Sequence, residues 1–252
     1  MTTVTERHRP GSFCWIELTT KDVAEARKFY TELFGWSVNE VPIGGGEVYT
    51  ILRKGQSDAA AMYGPGPEGA PSSWMSYVAV ENVDQSVEKA KELGGTVLAP
   101  PMDVGDSGRM AVLIDNQGAA FAIWQANQHM GVGVRDEANA LCWNELQARD
   151  VEAAKRFYPP LFGWRMKESE EYTEWYLGEN AVGGMIESKA PPEAPSSWLP
   201  YFAVTDCDPI TANAQSLGGS VCVPCMDIAH VGRFSVLWDP TGAMFAVIKL
   251  TM

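Results

Sequence analysis

The sequence predicts an α+β protein of four βαβββ modules, paired into two tandem domains with open, half-barrel mixed sheets. Three observations carry the prediction. Cys14-Trp-Ile-Glu-Leu18 returns as Cys142-Trp-Asn-Glu-Leu146. Nearly the whole first half returns in the second in the same order. Each half itself reads as strand, helix and three strands, then strand, helix and three strands again. Repetition of this kind constrains the architecture before any single element does. It divides the 252 residues into domains at 1–126 and 140–252, joined by a linker at 127–139.

The first strand leads into Asp22-Val-Ala-Glu-Ala-Arg-Lys-Phe-Tyr-Thr-Glu-Leu-Phe-Gly-Trp36, whose counterpart, Asp150 to Trp164, lies 128 residues on. Asp22 is placed to cap a helix with Glu25 three residues later, and Val23, Ala26, Tyr30, Leu33 and Phe34 share one face at helical spacing. Gly35 ends that helix. In the second copy Pro159 and Pro160 each remove a donor and should stop or distort the last turn. Ser72-Ser-Trp-Met-Ser-Tyr-Val-Ala-Val80 matches Ser196-Ser-Trp-Leu-Pro-Tyr-Phe-Ala-Val204 at an offset of 124, so a loop has lost four residues. Leu93-Gly-Gly95 and Leu217-Gly-Gly219 end the second helix of each half. The closing strands are Gly108–Asp115 and Gly118–Ile123, repeated as Gly232–Asp239 and Gly242–Val247. Residues 64–71 and 191–195, rich in Gly and Pro or in Pro alone, connect modules within each half, and Gly131 and Gly133 mark the linker between halves. Every sheet has one face covered by its helix, which leaves the other to pair with a neighbour and close around a cavity.

Bulk properties narrow the partners. The net charge of -13 divides into -6 for residues 1–126 and -7 for residues 127–252, with no basic stripe, which argues against nucleic acid and anionic membranes. No apolar run reaches the eighteen or so residues of a membrane span, and the first residues lack the apolar core of a signal peptide, so a cytoplasmic protein is expected. The five cysteines are expected to be reduced; Cys222 and Cys225 form a C-x-x-C without a second pair, which reads as a strand end and not as a zinc or redox site.

A short strand, an Asp-capped helix ending in Phe-Tyr…Leu-Phe-Gly-Trp, and a later Gly-Arg…Asp-x-x-Gly-Ala-x-Phe together resemble the vicinal oxygen chelate superfamily of glyoxalase I, bleomycin-resistance proteins, fosfomycin-modifying enzymes and type I extradiol dioxygenases. The resemblance covers both halves and implies a tandem member with two glyoxalase-like domains. It also implies a divalent metal held by His and Glu on cavity-facing strands, and here the sequence departs from the pattern. The positions implied for the ligands carry Trp15 and Trp143, Met75 and Leu199, and Ala122 and Ala246. His8, His129 and His230 lie in the tail, the linker and a loop. No metal and no cofactor is therefore expected.

Those same positions fix which strand parity points inward. They place Trp15, Glu17, Met75, Tyr77, Ala122 and Trp124 in the first cavity, and Trp143, Glu145, Leu199, Tyr201, Ala246 and Ile248 in the second, with Cys14, Ile16 and Leu18 against the helix. Such a lining suits a flat, largely apolar aromatic or hydrophobic ligand, with the alternative that the rings fill the cavity as core. Glu17 and Glu145 are the catalytic candidates, as general acids or bases whose pKa burial would raise; their repetition favours a structural carboxylate bonded to Arg, Tyr or backbone. Arg109 and Arg233 could clamp a ligand anion or serve as hairpin charges, and His230 could shuttle a proton.

The functional expectation is a metal-independent protein that binds or sequesters a flat hydrophobic small molecule. The alternatives are a metal-free lyase or isomerase using a cavity glutamate, a dioxygenase- or hydroxylase-like enzyme, and an interaction module with filled cavities. With both halves in one chain, the pairing that single-domain relatives achieve by dimerisation can occur internally, so a monomer is expected, with a homodimer as the alternative.

Overall fold

The computed structural model describes residues 6–66 and 69–251, so the first five residues and part of the first Gly/Pro-rich connection, at 67 and 68, lie outside the described residues. The first domain runs β1 (Phe13–Thr19), α1 (Val23–Phe34), β2 (Ser37–Gly44), β3 (Glu47–Lys54), β4 (Ser57–Tyr63), β5 (Ser73–Ala79), α2 (Val83–Glu92), β6 (Thr96–Val104), β7 (Gly108–Ile114) and β8 (Ala120–Ala126). The second repeats the order with β9 (Ala140–Ala148), α3 (Val151–Phe162), β10 (Arg165–Glu168), β11 (Tyr172–Leu177), β12 (Asn180–Glu187), β13 (Ser197–Ala203), α4 (Cys207–Ser216), β14 (Ser220–Ile228), β15 (Gly232–Trp238) and β16 (Met244–Leu250). Two eight-stranded mixed sheets result, ordered β2-β3-β4-β1-β5-β8-β7-β6 and β10-β11-β12-β9-β13-β16-β15-β14. The fold is α+β with two tandem domains, each made of two βαβββ modules meeting at an antiparallel pair, β1 with β5 and β9 with β13.

Local chemistry accounts for the helices. Asp22 and Asp150 sit in extended backbone and accept from the amides of Glu25 and Ala153, each satisfying one donor that the helix leaves open. Gly35 and Gly163 end their helices at φ of 68° and 72°, a left-handed conformation that glycine adopts at little cost. The prolines of α3 do not shorten it: α3 and α1 both have 12 residues. Both prolines fall in the last turn, where the Lys155 and Arg156 carbonyls lose their helical donors but little helix lies beyond to be displaced. There the buried Leu161 and Phe162 hold the chain against the core, and the Pro159 carbonyl accepts from Gly163 N and Trp164 N.

The hydrophobic core lies mostly between the domains. One cluster joins Tyr30, Phe34 and Trp74 of the first domain to Phe202, Leu237 and Phe245 of the second; the other joins Phe13, Val87 and Phe121 to Tyr158, Trp164 and Trp198. Module one thus packs on module four and module two on module three, with the helix-bearing faces of the two sheets against each other. Polar bonds follow the same exchange. Tyr30 Oη donates to Asp239 Oδ2 at 3.0 Å and Tyr158 Oη to Asp115 Oδ2 at 2.9 Å. Trp36 Nε1 donates to the Asn139 carbonyl and Trp164 Nε1 to that of Gly11. The concave sheet faces point away from this interface, each with its own apolar cluster. Among the described residues no helix is long and apolar enough to cross a membrane.

Candidate functional site

Each concave face is organised around one carboxyl group. In the first domain the alternation of β1 turns Trp15 and Glu17 inward; across the ladder Tyr77 faces Trp15, Met75 faces Glu17, and Ala122 of β8 stands beside Tyr77. Trp15 Nε1 donates to Tyr49 Oη at 3.1 Å, Tyr49 Oη donates to Glu17 Oε2 at 2.5 Å, and Tyr77 Oη donates to Glu17 Oε1 at 2.9 Å. The second domain repeats the arrangement. Tyr201 pairs with Trp143, and Leu199 with Glu145, while Ala246 lies beside Tyr201. Trp143 Nε1 donates to Tyr172 Oη at 2.8 Å, and Tyr201 Oη and Gln147 Nε2 donate to Glu145 Oε1 at 2.9 and 2.6 Å.

Burial sets the electrostatics. Glu17 and Glu145 are 9% and 8% exposed, and desolvation raises the pKa of both against the opposing pull of the tyrosine hydroxyls. Tyr49, Tyr77, Tyr172 and Tyr201 are all held in the phenol form, chiefly by desolvation and then by the neighbouring carboxylate. Each cup is therefore an aromatic wall with a buried carboxyl of raised pKa at its base. Such a group can donate or accept one hydrogen bond to a guest, and it can move a proton.

The structure gathers Trp15, Met75, Tyr77, Ala122 and Trp124 on one concave face and Trp143, Leu199, Tyr201, Ala246 and Ile248 on the other, with one departure from strict alternation. Cys14 does not face the helix: a bulge between Phe13 and Trp15 makes it an extra residue, and it joins Trp15 and Val132 in the cup cluster while Phe13 takes the helix side. Cys142 occupies the equivalent place, and burial pushes its thiol pKa up to about 12. Strict alternation cannot anticipate such a shift. Arg109 and Arg233 lie outside the cups. Arg109 binds both oxygens of Asp84 at 2.9 Å and Asp103 at 2.8 Å, and it lines a surface cleft with Arg7 and Gln125. Arg233 pairs with Asp208 and Asp227 in the same way. His230 occupies the exposed β14–β15 turn with φ of 64°. The C-x-x-C separates: Cys222 is exposed, and Cys225 Sγ lies 3.3 Å from Cys207 Sγ.

Tyr49 and Tyr172 were not anticipated, although they bridge tryptophan and glutamate in both cups. The available signal was Tyr49-Thr50 returning as Tyr172-Thr173 at an offset of 123, each followed by a glycine six residues after the tyrosine.

A divalent metal of the kind the resemblance implies does not fit these residues. The positions that would supply ligands hold indole, thioether, isobutyl and methyl groups, and the one carboxyl within reach in each cup is engaged by tyrosine hydroxyls. Among the described residues no group of three or more His, Cys, Asp or Glu side chains could hold an ion.

The chain matches the family model "Glyoxalase/Bleomycin resistance protein/Dioxygenase superfamily" twice, over residues 12–123 and 140–247. It is 41% identical to "Putative glyoxylase CFP32" of Mycobacterium tuberculosis over 96% of both chains. It is 35% identical to "Anthracycline biosynthesis protein DnrV" of Streptomyces peucetius, over 97% of this chain and 95% of the relative. Among solved structures, a Mn(II)-bound glyoxalase from Novosphingobium aromaticivorans superposes with a TM-score of 0.68 at 11% identity, covering 96% of this chain and 82% of the other. The 2,3-dioxygenase LapB from Pseudomonas sp. KL28 superposes with a TM-score of 0.66 at 11% identity, covering 100% and 94%. Identities this low support the fold alone.

Proposed function

The chain belongs to the glyoxalase/bleomycin resistance protein/dioxygenase superfamily, and from that premise we propose that it binds a flat, hydroxylated aromatic small molecule without a resident metal, the cup carboxyl orienting the guest. The observation that carries this reading is the repeated Trp–Tyr–Glu–Tyr network, at the place where the fold would otherwise carry metal ligands. Rings supply stacking area, Ala122 and Ala246 place only a methyl group beside Tyr77 and Tyr201, and the buried glutamate can bond a phenol hydroxyl of the guest. The similarity to anthracycline biosynthesis proteins supports a polycyclic guest of that chemistry. Burial of the helix faces within one chain supports a monomer, and the free thiols support a reducing, cytoplasmic setting.

Calorimetric titration with 1,4-dihydroxyanthraquinone tests the reading: binding in the micromolar range or tighter is expected, unchanged by EDTA, with the ligand recovered at its original mass. No heat at saturating ligand, or heat abolished by EDTA, overturns it. The raised pKa of the Glu145 carboxyl favours a second reading, in which it acts as general acid or base in a lyase or isomerase step. In that case Glu145→Gln stops turnover while binding survives.

A further inference from the structure

The two cups share a network but not a surface. Between β8 and β9 the chain crosses the first cup as a strap, residues 127–134. Val132 N donates to the Cys14 carbonyl and Gly133 N to that of Asp58, both at 2.7 Å, so the strap enters where β1 and β4 have not yet begun to pair. His129 N donates to the Ser107 carbonyl at 3.0 Å, and Trp124 Nε1 donates to the His129 carbonyl at 2.9 Å. These bonds seat the His129 ring edge-on against Trp15 with centroids 4.6 Å apart and against Trp124 at 6.0 Å. Val132 is buried in the same cluster, and His8 approaches from the tail with Nε2 3.1 Å from the Val132 carbonyl. At Gly131 a Cβ would fall 2.2 Å from the Cys14 carbonyl oxygen, so only glycine lets the strap lie this close. Trp15 is left 4% exposed.

The second cup differs at its tryptophan. Trp143 is half-buried where Trp15 is buried, and among the described residues no ring packs on Trp143, whereas Tyr172, Phe234 and Gln147 are half-buried like their first-cup counterparts Tyr49, Met110 and Thr19. Gln147, half-buried, stands where the first domain has Thr19, and its amide donates to Glu145. It therefore adds a hydrogen-bonding amide to the partly exposed surface of the second cup.

We infer that the strap is the resident occupant of the N-terminal cup and that a flat aromatic ligand enters the C-terminal cup alone, one per chain, between Trp143 and Phe234 and against the Gln147–Glu145 pair. The inference rests on the small-molecule reading above and assigns its site. His129 covers Trp15 edge to face where a guest covers Trp143, and Gln147 selects guests with a ring-borne ketone or hydroxyl.

Fluorine NMR of the full chain carrying 5-fluorotryptophan tests it, with the Trp15 and Trp143 signals assigned from Trp15→Phe and Trp143→Phe. In the ligand-free protein the H2O/D2O solvent shift should be clear at Trp143 and near zero at Trp15, and His129→Ala should bring it out at Trp15. On addition of 1,4-dihydroxyanthraquinone the Trp143 signal should move and saturate at one equivalent while Trp15 stays, and Gln147→Ala should weaken binding by about tenfold, an amide hydrogen bond to the guest. Equal solvent shifts at the two positions overturn the inference whether or not the probe binds, as does movement of Trp15 or saturation at two equivalents. Unequal solvent shifts with neither signal moved by the probe sink the ligand reading and the assignment of a ligand to the C-terminal cup, while the strap's occupancy of the first cup stands.

Discussion

At Glu17 a carboxyl group is taken out of water with the hydroxyls of Tyr49 and Tyr77 to replace it, and among the described residues no positive charge acts to hold it ionised. Its folded pKa is raised, so the sign of its contribution is fixed: stability is fully present below the unfolded glutamate value of about 4.3 and is lost as pH rises through the raised folded value. Glu17→Gln keeps the shape and removes the ionisation. The variant should gain stability over the native chain as pH climbs above about 4.3, with the gap levelling off once the folded carboxyl has ionised. Chemical denaturation from pH 4 to 8 measures this, and a gap that stays constant or closes with rising pH would show that Glu17 is not desolvated as described. The pairing of Trp15 with Glu17 was legible in the sequence because alternation in a strand is strict over a few residues. The tyrosines bridging them were not, because Tyr49 and Tyr172 come from strands two places away in the sheet, whose register depends on a hairpin and not on a local pattern.

Among the elements, the helices show how far a local signal carries. The Asp-capped helix, its buried stripe and its glycine stop were readable from spacing alone, and the structure reproduces them in α1 and α3. The prolines of α3 do not stop the helix, because the tertiary burial of Leu161 and Phe162 holds the last turn where local propensity alone would end it. Caps that look alike in sequence are also unequal in space. Asp150 accepts from Ala153 N at 2.9 Å, whereas Asp206, at the start of α4, makes no capping bond with its side chain. Asp150→Ala should therefore cost about 1 kcal/mol and Asp206→Ala no more than a few tenths. Urea denaturation of the two variants separates them, and equal losses would mean that charge at the helix terminus, and not the cap bond, sets the cost.

On the scale of the whole molecule, the segments that made the family recognisable turn out to hold the domains to each other. The tyrosine of Phe-Tyr in α1 and α3 donates to the aspartate that opens Asp-x-x-Gly-Ala in the opposite domain. The tryptophan of Phe-Gly-Trp donates to the backbone just ahead of the opposite domain's first strand. Sequence showed two complete copies and left open what either does for the other, since exchange of partners between copies has no local signature. Each domain presents its helix-bearing face to its neighbour, so separating them would expose Tyr30, Phe34, Phe121, Phe157 and Phe245 together. An apolar surface of that extent is not stable in water. The full chain should thus unfold in one cooperative transition, and a fragment ending at residue 126 should lack a native-like melt. Within the intact chain, Tyr158→Phe removes a donor from the buried Asp115 and the acceptor of Trp198 Nε1, and should lower stability by about 1–3 kcal/mol. Calorimetry of the chain, the fragment and the variant decides the matter. Two resolved transitions in the chain, or a cooperative melt of the fragment with dispersed amide resonances, would mean that each domain holds its own core and that the exchange of modules is not what keeps the fold together.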